Sequence, residues 1–165
     1  MTDRVYNVLF LSARNSARSI LAEAILRKEG RGRFQAFSAG NHPEPKVDTL
    51  ALQVLREADY PIEGLRPKNK HEFIGPGAPS MDFVFTLCDS MRGEPVPEWP
   101  GQPIAAHWSI EDPKAMTGSD LEQKAAFITA QRYIKNRITA LVALPIASLD
   151  QVALTSQLRE IGQRS

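Results

Sequence analysis

Reactive sulfur is almost absent from this sequence: of 165 residues a single one, Cys88, is cysteine. Within these residues that excludes an intrachain disulfide framework and any multi-cysteine metal site. Histidine is nearly as scarce, with three in the chain, and His42 and His71 show no spacing to each other or to carboxylates that reads as metal binding. No metal and no cofactor is expected. Neither sign of charge prevails, since 20 Lys and Arg face 19 Asp and Glu for a formal charge of +1. A chain so balanced has no general field for nucleic acid or for an anionic membrane, although a local basic pocket is compatible with it. Long apolar runs are also missing, and Met1 to Leu11 lacks the charged-then-apolar pattern of a secretory signal. The expectation is a soluble, cytoplasmic protein.

What is present reads as one globular domain over residues 1–165, with 42% hydrophobic and 24% charged residues. Val5 to Leu11 is a short apolar run of the kind that forms a central parallel strand buried on both faces. The spacing of Ile20, Leu21, Ala24, Ile25 and Leu26 predicts a helix from Arg18 to Glu29, stopped by Gly30. A strand is expected at Phe34–Ser38, and a helix at Val47–Ala58 with Leu50, Val54 and Leu55 inward and Pro61 closing it. Met81–Leu87 is a third strand candidate and Gln102–His107 a weaker fourth. Leu121–Leu144 reads as a long helix with Leu121, Ala125, Ile128, Ile134, Ile138 and Leu141 as its inner face, interrupted by Pro145. Residues 146–165 form a C-terminal helical extension, its anchors Leu149, Val152, Leu158 and Ile161. The stretch Gly75 to Pro113, with Pro95-Val96-Pro97 and Trp99-Pro100-Gly101, is too irregular for a long helix and reads as a folded surface loop.

Strands alternating with helices imply an α/β fold: three layers, an open parallel four-stranded sheet with helices on both faces, plus the C-terminal helix. In such sheets ligands bind beyond the carboxyl ends of strands, which directs attention to Ser12 onward and Cys88 onward. Ser12-Ala13-Arg14-Asn15-Ser16-Ala17-Arg18 joins a buried strand to a helix N-terminus. Such a loop can aim backbone N–H groups at one anion, with Arg18 adding a planar charged fork. The bland alternative is that Asn15 or Ser16 caps the helix and Arg18 is solvated. Neither the nucleotide P-loop pattern nor the dinucleotide glycine fingerprint occurs here.

Val8-Leu9-Phe10-Leu11, then Asn15-Ser16, Arg18-Ser19 and Ala22-Glu23, are followed in order by Ser38-Ala39-Gly40, Thr86-Leu87-Cys88-Asp89, Trp99-Pro100-Gly101, His107-Trp108 and Asp112-Pro113. This series, from about Val5 to Leu144, resembles the low-molecular-weight protein tyrosine phosphatase superfamily, most of all its thioredoxin-coupled arsenate reductases. The resemblance implies a phosphate loop of cysteine, five residues and arginine, followed by serine. It puts Ser12 at the nucleophile's position, Arg18 as the oxyanion's arginine and Ser19 as the hydroxyl that supports the nucleophile. It also makes Asp112 the general acid and Cys88 the first resolving cysteine. The second resolving position holds Pro95, and Arg14 replaces a residue that is usually glycine.

A loop of amides stabilises a thiolate, but an alcohol stays protonated in the same surroundings and needs an adjacent base. No histidine lies in this segment, so Ser12 reads as a broken nucleophile in a surviving anion cradle. Arg14 either adds charge over the pocket or points to solvent, and its side chain distorts the loop if glycine's backbone freedom is needed. Cys88 reads on composition as a small buried hydrophobe. Asp112 before Pro113 is either a turn aspartate or, in this context, a proton donor; His107 and Trp108 read as packing residues. The functional readings are an impaired arsenate reductase or phosphatase, and a binding module without turnover. The expected partners are phosphate, arsenate or sulfate, or a phosphorylated protein, with thioredoxin only if the relay were intact. A third reading makes the C-terminal helix a homo-oligomer interface, although packing on its own domain explains it equally.

Overall fold

The computed structural model describes residues 4–91 and 99–163. Four parallel strands, β1 (Tyr6–Ser12), β2 (Phe34–Gly40), β3 (Phe83–Thr86) and β4 (Ile104–His107), lie in the order β2-β1-β3-β4. The helices are α1 (Arg18–Glu29), α2 (Thr49–Glu57), α3 (Asp120–Ala143) and α4 (Gln151–Ile161). The α/β class and the parallel sheet are as expected. Alternation along β1 explains its unbroken apolar run: Val8 and Phe10 enter one core cluster, Leu9 and Leu11 the other.

The two faces are covered unequally. The larger core lies beneath the α-helices, and α1 is buried on every side from Ser19 to Leu26. The smaller core, with Phe73, Met81, Met91 and Trp99, is covered by the 3-10 turns Lys70–Phe73 and Asp89–Met91 and by adjoining loops. The 75–113 stretch is therefore not surface loop throughout, since Met81 and Trp99 are buried within it. Gly101 makes this possible: at φ +94° it passes Met81 so closely that a Cβ would stand 2.7 Å from the Met81 carbonyl oxygen. Pro95-Val96-Pro97 lies outside the described residues.

The inner face of α3 differs from the sequence expectation. Leu121, Ala125 and Ile128 are exposed, and the buried stripe runs through Phe127, Ala130, Ile134, Ile138 and Leu141. The six residues from Ile128 to Ile134 turn the helix through about 600°, leaving the two about 120° apart around the axis and on different faces. In α4, Val152 is likewise exposed and Leu154 takes its place beside Leu158 and Ile161. In α2, Ala51 is buried with Val54 and Leu55, while Leu50 is only partly so. The apolar face of α4 is used within the chain: Trp108 Nε1 donates to the Leu158 carbonyl at 2.9 Å and stacks on Phe85. Gly162 permits the approach, since a Cβ there would meet Trp108 at 2.6 Å.

Candidate functional site

The loop between β1 and α1 starts where the strand order reverses, with β2 on one side of β1 and β3 on the other. That arrangement opens a crevice at the carboxyl ends of β1 and β3. Leu11 pairs with Thr86, and the Leu87 amide donates to the Leu11 carbonyl at 2.9 Å, so the loops after the two strands leave side by side. Cys88 thereby meets the first loop: the Ala13 amide donates to its Sγ at 3.2 Å, and Ser90 Oγ lies 3.5 Å from it. Buried Cys88 is both a small core residue and a partner of the amide that follows Ser12.

Within the loop the side chains are tied from beneath. Asn15 is fully buried and takes the left-handed backbone, at φ +48°, which asparagine tolerates better than most residues. Its Nδ2 donates to Ser19 Oγ at 2.7 Å and to Ser38 Oγ at 3.0 Å, while its Oδ1 accepts the Lys68 amide at 2.9 Å. That backbone donor fixes which end of the amide is oxygen. Ser19 Oγ in turn lies 2.5 Å from Ser12 Oγ. No side chain caps α1, so the capping alternative for Asn15 and Ser16 does not hold. Arg14 has no left-handed backbone, so the loop does not need glycine there.

A charged group underpins this floor. Glu23 is buried on α1, where Ser38 Oγ donates to Oε1 and Arg27 Nη2 donates to Oε2, each at 2.5 Å. Lys68 Nζ stands 3.6 Å from Glu23 and donates to the Ser38 carbonyl at 2.8 Å. Burial pulls the Lys68 ammonium below the ordinary lysine range, while the Glu23 charge opposes that shift. Gly40 closes the arrangement: a Cβ there would stand 2.7 Å from the Ser12 carbonyl oxygen, so only glycine lets the end of β2 lie against the loop.

Arg18 begins α1 with its side chain only 14% exposed, not solvated. Its Nη1 donates to the Ile110 carbonyl at 3.1 Å, and its Nη2 stands 3.6 Å from Asp112 Oδ2. At Asp112 the two carboxylate oxygens have different neighbours. Oδ1 accepts the Lys114 amide at 3.0 Å as a turn aspartate does, while Oδ2 faces the arginine. His107 bridges Thr86 Oγ1 at 2.7 Å and Asp89 Oδ1 at 3.1 Å. The structure thus gathers Ser12 to Arg18, Ser19, Cys88 and Asp112 at one crevice. Pro95 lies outside the described residues.

Sequence reasoning missed Lys68, Glu44 and Lys114. Glu44 and Lys114 are paired at 2.6 Å beside the loop. That bond, more than the nearby charges, holds the Glu44 carboxyl below its ordinary range. No local pattern marks these residues, because their partners lie tens of positions away in the chain.

The sequence is 32% identical over 136 residues to the glutaredoxin arsenate reductase of Synechocystis sp., covering 82% of this chain and 95% of that protein. It is 28% identical to an arsenate reductase of Bacillus licheniformis, over 79% of this chain and 91% of the relative. Among solved structures it is similar to an arsenate reductase in the phosphate binding state, with a TM-score of 0.68 and 28% identity over 84% of this chain and 98% of that one. A tyrosine phosphatase of Erwinia amylovora, 18% identical over 86% of this chain and 94% of that one, shares the fold at a TM-score of 0.60. The model of the low molecular weight phosphotyrosine protein phosphatases matches residues 7–152, and this chain belongs to that family.

Proposed function

We propose that this protein holds a tetrahedral oxyanion such as phosphate, arsenate or sulfate in the 12–18 loop, and that with serine at position 12 it lacks the family's thiol chemistry. The loop amides and the start of α1 supply donors, and Arg18, oriented by Ile110 and Asp112, supplies the charged fork. The observation that carries the second half is the surroundings of Ser12 Oγ. It is hydrogen-bonded to Ser19 Oγ, and among the described residues no histidine or carboxylate bonds to it. An alcohol without a base is a poor nucleophile at neutral pH, and the same cradle that stabilises a thiolate cannot ionise it.

The similarity to arsenate reductases supports an arsenate-class ligand, while a disulfide relay finds no second thiol within these residues. A thioredoxin or glutaredoxin has no intrachain disulfide here to reopen. Asp112 is the proton donor of this reading, facing Arg18 across the crevice.

The test compares the unaltered protein with Ser12→Cys. Both are expected to gain thermal stability from millimolar phosphate, arsenate or sulfate, because an anion that binds the folded state alone stabilises it. Only Ser12→Cys is expected to hydrolyse a small aryl phosphate, supplied at tens of millimolar. Its thiolate would attack phosphorus as the phenolate leaves with the Asp112 proton, and water would then release phosphate. Turnover by the unaltered protein would refute the loss of chemistry. No stabilisation at tens of millimolar anion would refute the cradle.

A further inference from the structure

Two walls rise beside the loop. On one, residues 42–48 run along the outer side of the loop, with the His42, Glu44 and Asp48 amides donating to the Ala13, Arg14 and Ser16 carbonyls at 2.8, 3.0 and 2.9 Å. Pro43 and Pro45 flank Glu44 and stiffen its backbone. On the other wall Lys114 stands two residues beyond Asp112, its amide bonded to the Asp112 carboxylate. Its ammonium reaches across to Glu44 Oε1 at 2.6 Å, lies 3.5 Å from Ser16 Oγ, and comes within 3.9 Å of Asp48 Oδ2. Arg14 Nη1 approaches the same Glu44 oxygen at 3.7 Å. The wall that carries Asp112 is thus fastened to the opposite wall chiefly by the Lys114–Glu44 ion pair, with Asp48 a second, longer partner; the side chains of that pair are about 70% buried (30% and 26% exposed).

A free oxyanion needs only the cradle and Arg18. An ester of the same oxyanion must also pass its organic group out between these walls. The side chains that span them, Glu44, Lys114, Arg14 and Asp48, are charged, so they offer no aromatic surface on which a phenyl ring could stack. Admitting the ring means parting or desolvating a partly buried ion pair, which is costly when the pair is not replaced.

The geometry points to the Glu44–Lys114 ion pair as a specificity strap that selects a small inorganic oxyanion, phosphate or arsenate, over an aryl phosphate. The inference rests on the oxyanion reading of the loop and names the ligand class that site accepts.

Calorimetric titration with inorganic phosphate and with phenyl phosphate tests it on the unaltered protein, Glu44→Gln, Lys114→Met and the charge-balanced double variant. The unaltered protein is expected to prefer phosphate by about tenfold or more. Field effects alone would move the single variants in opposite directions: removing the carboxylate tightens both anions, and removing the ammonium weakens both. Loss of the strap instead lowers the phosphate-to-phenyl-phosphate preference in all three variants, by about fivefold or more. Thermal unfolding checks that each variant is folded, and any one folded variant suffices. Equal binding of the two ligands by the unaltered protein overturns the strap. So does a preference that is unchanged in the variants, or that moves oppositely in the two singles, even though phosphate still binds. Binding of neither ligand by the unaltered protein overturns the oxyanion reading itself, and the strap with it.

Discussion

Ser12 Oγ and Ser19 Oγ stand 2.5 Å apart, both buried, at the junction of β1 and α1. Ser19 already accepts a hydrogen from Asn15 Nδ2, so its own hydroxyl hydrogen is available to position 12. A neutral serine gains little from that donor, whereas a thiolate at the same place gains a charge-assisted bond. In the Ser12→Cys background, Ser19→Ala is therefore expected to lower aryl phosphate turnover by about tenfold to a hundredfold, the worth of a hydrogen bond to a charged group at about 1.5–3 kcal/mol. It is also expected to raise the apparent pKa at which iodoacetamide alkylates the new thiol. Turnover and alkylation profiles unchanged by Ser19→Ala would show that Ser19 is only a packing residue.

Lys68 supplies a stability signature on the alkaline side. Burial, the largest influence on it, lowers its pKa in the folded protein from the ordinary 10.5. Below the lowered value both states hold the proton, and above 10.5 both have lost it. Between the two the unfolded chain holds more protons, so stability rises with pH there. The unfolding free energy of the unaltered protein, measured in urea against that of Lys68→Met, is expected to be level near neutrality. It then climbs towards pH 10.5 and levels again. A difference that falls with pH instead would mean that the Glu23 charge outweighs burial at Lys68, and would contradict its buried placement.

The register of α3 is open to a paired substitution. Phe127 is 2% exposed and Ile128, its neighbour, 49%. Phe127→Ala is expected to cost about 3–5 kcal/mol through lost burial and the cavity left behind. Ile128→Ala is expected to change stability by less than about 0.5 kcal/mol. Urea unfolding distinguishes them, and comparable losses at both positions would mean that the helix is turned differently.

Local pattern carried the elements that depend on local physics. The helix expected from Arg18 to Glu29 has those bounds, because apolar spacing and a following glycine act within a few residues. The run Val5–Leu11 announced a strand buried on both faces, and β1 is that strand. The phase of α3 was not legible. Apolar residues occur on more than one of its faces, and the tertiary partners decide which stripe is buried. Leu121 and Ile128 have the chemistry of a core face without a core to meet. The candidate site was legible as far as Arg18, Ser19 and Asp112, whose order along the chain belongs to the series that carries the family resemblance, and Ser12 as the position where the chain departs from it.

By itself the sequence determined the α/β alternation, the polar loop between the first strand and the first helix, and the restriction of thiol to Cys88. These are properties of residue type and short-range spacing. Only the tertiary structure decided what surrounds them. It set Cys88 against the Ala13 amide, placed Lys68 and Glu23 under the loop floor, and fastened Glu44 to Lys114 beside it. The physical reason is the parallel sheet: strands β1, β3 and β4 end together, so loops tens of residues apart in the chain converge at their carboxyl ends. Charges brought together in that way interact through space, and neither partner's neighbours in sequence record the other.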